Sequence, residues 1–136
     1  MKALQLAALR GVDVRIITTG KPDSLPVYLA AFYYIEQLQG LNIRFYAYKP
    51  GFLHEKVMLI DSNISSVGTH NFDNRSFRLN FEIAAVINDE EFASRMAAMF
   101  ENDFGHAELI DVERLRDRPL WWRLGVRLSR LAAPVL

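Results

Sequence analysis

At 136 residues and 51% hydrophobic composition, the chain carries enough apolar side chains for one globular domain with a true core, and little is left for a second. Sixteen basic and sixteen acidic residues cancel to a formal net charge of +0, so no global field attracts nucleic acid. The absence of cysteine excludes disulfide frameworks and thiolate metal sites and fits a reducing compartment, so any metal would have to be held by carboxylates or histidines.

Met1 to Arg10 reads as a short helix stopped at Gly11, and the β-branched stretch Val12 to Thr18 as a strand. Gly20, Pro22 and Asp23 punctuate the chain before a helix over Leu25 to Gln39, which Gly40 ends. Strands follow at Asn42 to Tyr48, His54 to Ile60 and Ile64 to Gly68, separated by Pro50-Gly51 and by a turn at Ser62-Asn63. Phe81 to Ile87 is a nearly continuous apolar run, the pattern of a strand covered on both faces. Asp89 caps a helix over Glu90 to Phe104, whose Phe92, Met96, Met99 and Phe100 form one core stripe. The order αβαββββα predicts an α/β fold, a mixed β-sheet flanked by helices. The longest apolar run, Val27 to Ile35, is far shorter than the ~20 residues of a spanning helix, and the N-terminal stretch lacks the apolar core and cleavage site of a signal peptide.

The chemistry concentrates in "FLHEKVMLID", Phe52 to Asp61. On a strand, side chains two apart share a face, so His54 and Lys56 project together and Glu55 points the other way. Asp61 ends the strand, where a carboxylate accepts hydrogen bonds from turn N–H groups. "GTHNFDNRSF", Gly68 to Phe77, then packs Thr69, Asn71, Asn74, Arg75 and Ser76 into a loop of donors suited to an oxyanion. Alone, a strand histidine reads as structural. His70 reads as a surface side chain, and His106 shows no partner spacing.

The pattern H-x-K-x4-D, met by His54, Lys56 and Asp61, is followed by G-T-x-N and by "NFE". These segments, with "PGFLH", resemble the phospholipase D superfamily, and within it the second catalytic half of bacterial cardiolipin synthases. The resemblance implies an α/β/α sandwich over residues 1–110, acting as a catalytic half-domain without metal or other cofactor. It also implies a reaction in which one histidine attacks phosphorus, forming a phosphohistidine, while a second histidine from another copy of the motif protonates the leaving alkoxide. His54 is then one of that pair. Lys56, Asn71 and Thr69 would hold phosphate oxygens, Glu82 would orient the histidine through its second ring nitrogen, and Asp61 would support the motif. Phosphatidylglycerol in an anionic bacterial membrane is the implied substrate, with glycerol released.

Residues 111–136 form a basic tail. From Arg114 to Leu136 six arginines face one acid, Asp117, a local charge of +5. On a helical wheel Arg123, Arg127 and Arg130 share one face and Leu120, Leu124, Leu128 and Leu131 a neighbouring one, with Trp121 and Trp122 opening the segment; this suits peripheral contact with an anionic bilayer, and a helix docked on protein is the alternative. With a single H-x-K-x4-D and no strand ahead of the first helix, the chain is expected to need a second motif-bearing half, either from a longer chain with membrane helices or from a homodimer mate. The competing readings are a soluble phosphodiesterase or nuclease, which the Trp-Arg tail disfavours, and an inactive lipid-binding or assembly module, which the intact His54, Lys56, Asn71 and Glu82 disfavour.

Overall fold

A computed structural model describes residues 2–21, 24–38, 40–112 and 117–132, with 130–132 by backbone alone. Pro22, Asp23, Gln39, Arg114 and Arg116, and the side chains of Arg130 and Leu131, therefore lie outside the described residues. Helix α1 (Lys2–Leu9) ends at Gly11, whose φ of +88° is the left-handed conformation that closes a helix without a Cβ penalty. Strand β1 (Val14–Thr19) pairs in parallel with β2 (Ile43–Tyr48), in register from Val14 opposite Ile43 to Thr19 opposite Tyr48. Parallel pairing requires a crossover, and α2 (Leu25–Gln37) supplies it.

The other strands sort into a second sheet. β3 (Val57–Ile60), β4 (Ile64–Gly68) and β5 (Ala84–Asn88) are antiparallel in that order, with the short α3 (Asn74–Arg78) between β4 and β5. Helix α4 (Glu90–Gly105) follows, its first turn capped by Asp89, whose carboxylate accepts from the Phe92 N–H at 2.7 Å. A strand the sequence reading missed, β6 (Ala107–Leu109), returns the chain to the first sheet, antiparallel to β2. With three residues it is too short for an alternation signal. The fold is α/β, helices flanking one mixed and one antiparallel sheet, and α5 (Leu120–Ala132) closes it.

Two buried clusters hold the first sheet to its helices. Ala8, Leu38 and Ile43 pack where α1 meets the β1–β2 pair, and Phe32 and Ile35 of α2 pack against Trp122 and Val126 of α5, with Phe45, Ile110 and Val112 alongside. The tail beyond residue 110 thus shares a core with the domain before it.

The second sheet is covered on one side only. Leu59, Ser65 and Ile87 stand opposite one another and face α4, and Ser65 is buried there. Met58, Ser66 and Val86 stand opposite one another on the other side, where Val86 is 72% exposed. This corrects the expectation for Phe81 to Ile87. The strand proper starts at Ala84, Phe81 and Ile83 lie outside it in the open, and an apolar run reports a need for cover that no described element of this chain supplies. No helix among the described residues is long and apolar enough to cross a membrane.

Candidate active site

The expected strand from His54 begins only at Val57, so His54 and Lys56 lie on its extended lead-in. Pairing nonetheless reaches one step beyond the strand, because the Gly68 N–H donates to the Lys56 carbonyl at 3.0 Å. The alternation of β3 then continues backward. Glu55 falls on the α4 side, where burial and then the charge of Asp103 push its carboxyl above the ordinary value. His54 and Lys56 fall on the uncovered side with Met58 and Ile60, as the two-residue period requires. His54 is exposed, its imidazole stacked on Phe52 at 5.4 Å between ring centroids. The Lys56 ammonium donates only a long 3.4 Å contact to the His54 carbonyl.

Across the sheet end from Lys56 stands a network built from the donor-rich loop. The Thr69 N–H donates to the Ile83 carbonyl at 2.9 Å, and the Ile83 N–H donates back to Thr69 Oγ1 at 3.1 Å. A Cβ at position 68 would lie 2.6 Å from that same Ile83 oxygen, so the crossing of β4 and β5 needs glycine there. Thr69 Oγ1 donates to Glu82 at 2.6 Å and Asn80 Nδ2 to its other oxygen at 3.0 Å. These bonds, Thr69 first, hold the Glu82 carboxyl below its ordinary value, with Ser76 and the nearby His70 adding to the effect.

Several sequence expectations change here. Glu82 was expected to orient His54, but its hydrogen bonds go to Thr69 and Asn80, and the described contacts of the His54 ring are with Phe52. The carboxylate is drawn toward the hydroxyl and amide nearest it along β4 and β5, while His54 stands across the sheet on the lead-in to β3. Asp61 also stands apart from the site. Five residues of extended chain put it about 16 Å from Lys56, at the opposite end of β3, where its φ of +54° makes it a turn former. His70, expected as a surface side chain, is half-buried beside Phe77 at 5.9 Å between rings.

The segment read as a loop contains helix α3. Asp73 caps it, accepting from the Ser76 N–H at 2.7 Å, and the buried Ser76 hydroxyl accepts from the Asn71 N–H at 3.1 Å. Asn71 is thereby fixed by its backbone while its side chain stays exposed. Asp is a favoured N-cap residue, but Ser in place of Glu or Gln three residues on leaves no capping-box signal in the sequence. No sequence signal marked Tyr34, whose hydroxyl accepts from Asn74 Nδ2 at 3.2 Å and ties α3 to α2.

His54, Lys56, Thr69, Asn71 and Glu82 therefore gather at one end of the second sheet. An imidazole, a cation and hydrogen-bond donors at one sheet end are groups suited to a phosphate ester. Residues 1–104 match the family described as cardiolipin synthase, PLD-like domain. The chain belongs to this family. The chain is 44% identical over 134 residues to Cardiolipin synthase A of Pseudomonas putida (strain F1), covering 98% of this chain and 28% of that protein. Cardiolipin synthase A of Pseudomonas aeruginosa (strain LESB58) is 44% identical over 136 residues, the whole of this chain and again 28% of that protein. The chain thus spans little more than a quarter of the length of the curated relatives it matches. Among solved structures, the PLD-like domain is similar to a phospholipase D family member, Nuc from Salmonella typhimurium, with a TM-score of 0.69 and 26% identity over 80% of this chain and 71% of that one.

Proposed function

We propose that this chain supplies one of the two catalytic histidines of a cardiolipin synthase-type phosphatidyltransferase working at the surface of a bacterial membrane. The observation that carries this reading is the gathering of His54 and Lys56 on the uncovered side of the second sheet, at the same end as the Thr69–Glu82 network. A phosphodiester repels anionic nucleophiles, and a neutral imidazole avoids that repulsion. In the first step a ring nitrogen of one histidine bonds to phosphorus of phosphatidylglycerol as the P–O bond to the glycerol headgroup breaks. The second histidine donates the proton that glycerol carries away. In the second step that histidine takes a proton from a hydroxyl of another phosphatidylglycerol, whose oxygen displaces the imidazole and yields cardiolipin. The Lys56 ammonium and the Asn71 amide are suited to the nonbridging oxygens, on which charge builds in both steps. Thr69 serves this site by holding Glu82.

The second histidine belongs to another motif-bearing half, which also accounts for the uncovered sheet side. The test is conversion of phosphatidylglycerol in mixed micelles by an assembly containing this chain, with mass analysis of the acid-sensitive phosphopeptide spanning Phe52 to Asp61. His54→Ala should abolish cardiolipin formation, and normal turnover by that variant would refute the mechanism. A second reading, a phosphodiesterase built from two copies of this chain, is supported by the similarity to Nuc, which extends over most of that chain's length. Hydrolysis of a soluble phosphodiester by a dimer, without cardiolipin formation, would favour it.

A further inference from the structure

Helix α5 docks by the wrong face for a helix whose only task is docking. At 100° per residue, Trp122 and Val126 lie on one arc, and these two are buried, 9% and 1% exposed, against Phe32 and Ile35 of α2. Gly125 lies beside the same helix, where a Cβ would stand 3.4 Å from the Leu29 methyl, at the edge of ordinary van der Waals contact. Leu120, Trp121, Leu124 and Leu128 fall on the arc opposite and remain 79%, 73%, 58% and 55% exposed. Between the two arcs lie the exposed Arg123 and Arg127. Among the described residues no ion pair engages Arg123 or Arg127.

We infer that this leucine-tryptophan face of α5 lies in the interface of an anionic lipid bilayer, parallel to its plane, with Arg123 and Arg127 on the lipid phosphates. At thirteen residues, about 20 Å, the helix is too short to span a bilayer and long enough to lie in its headgroup region. A contiguous apolar strip flanked by cations without acidic partners complements a surface that is apolar beneath and anionic above. Trp121, with an apolar body and an N–H donor, suits the boundary. Trp122, expected at the membrane with it, is instead spent on the protein core. The choice of an anionic lipid over a protein partner rests on the unpaired arginines together with the reaction proposed above; the binding experiment tests it without reference to turnover.

The experiment is co-sedimentation of the 136-residue chain with vesicles of phosphatidylglycerol mixed with phosphatidylcholine, and with phosphatidylcholine alone, at low and high salt. The chain should bind the anionic vesicles and shift Trp121 emission to the blue. Arg123→Gln with Arg127→Gln should weaken that binding about 25-fold, roughly fivefold per arginine, and high salt should do likewise as the Debye length falls to ~3 Å. Leu124→Ser with Leu128→Ser should weaken binding at every salt concentration. Both variants alter exposed positions, so circular dichroism and melting should match the parent. Equal binding by parent and variants, or indifference to lipid charge, would overturn the proposal. Salt-insensitive self-association lost in the leucine variant would overturn it in favour of a second copy as the occupant. Vesicle binding by the chain, with no transfer in micelles by an assembly that supplies the second motif, would leave the helix face standing and count against the reaction, whereas transfer by that assembly with a chain that ignores these vesicles would do the reverse.

Discussion

The ring of Phe52 is stacked on the imidazole of His54, their centroids 5.4 Å apart and their planes 26° from parallel. Phe52 is itself half exposed, so its place is fixed by the stack and the extended backbone more than by a surrounding core. Such pairs are worth about 0.5–1.5 kcal/mol, here applied to the orientation of the His54 imidazole. Phe52→Leu should therefore lower kcat by roughly three- to tenfold with KM little changed, read in an assembly that forms cardiolipin. A pure change in KM would mean that Phe52 touches lipid and does not position His54.

Lys56 shares the uncovered side with His54, and among the described residues its ammonium is held by nothing stronger than a 3.4 Å contact to a carbonyl. A cation so lightly tied is available to phosphate oxygens. Lys56→Ala should leave the melting temperature unchanged while reducing turnover by ~10²-fold or more. An unchanged rate would remove Lys56 from the site.

Thr69 and Glu82 make a second coupled pair. The Thr69 hydroxyl is the largest cause of the depressed Glu82 titration, so Thr69→Val should move that titration back up toward 4.5, followed by carboxyl-carbon NMR. A carboxyl depressed on folding adds stability above its unfolded value, and that stability is lost as pH falls through the folded one. The valine variant should accordingly lose stability relative to the parent at neutral pH and converge with it in acid.

Glu55 should show the opposite sign. Burial and Asp103 raise its carboxyl above 4.5, so the folded chain holds this proton more tightly than the unfolded chain. The associated stability is present below 4.5 and is lost as pH rises through the raised value. Glu55→Gln should melt at the parent's temperature in acid and above it at neutral pH. A variant less stable at neutral pH would show that the Glu55 carboxylate is favourably paired.

The adjacent tryptophans offer a clean contrast. Trp122 packs edge-on to Phe32 at 5.2 Å, whereas Trp121 is 73% exposed. Trp122→Ala should cost about 3–5 kcal/mol in denaturant unfolding and Trp121→Ala within about 0.5 kcal/mol.

What the sequence determined was the local content: the helices and strands whose periods span several turns or alternations, and the motif His54, Lys56, Asp61 with its loop at Gly68 to Phe77. Period and spacing are properties of neighbours along the chain, so β4 was read to the residue and α4 to its cap. Tertiary structure decided which of those residues meet. Asp61, seven positions from His54, is carried off by a straight strand, while Thr69 and Glu82, thirteen apart, are joined because β4 and β5 run side by side. The sequence likewise could not tell that α5 would bury Trp122 and Val126 and leave Leu120, Leu124 and Leu128 outside, or that no described element would cover Val86. A side chain's own polarity states what burial it favours, and only the elements packed around it determine whether it is buried.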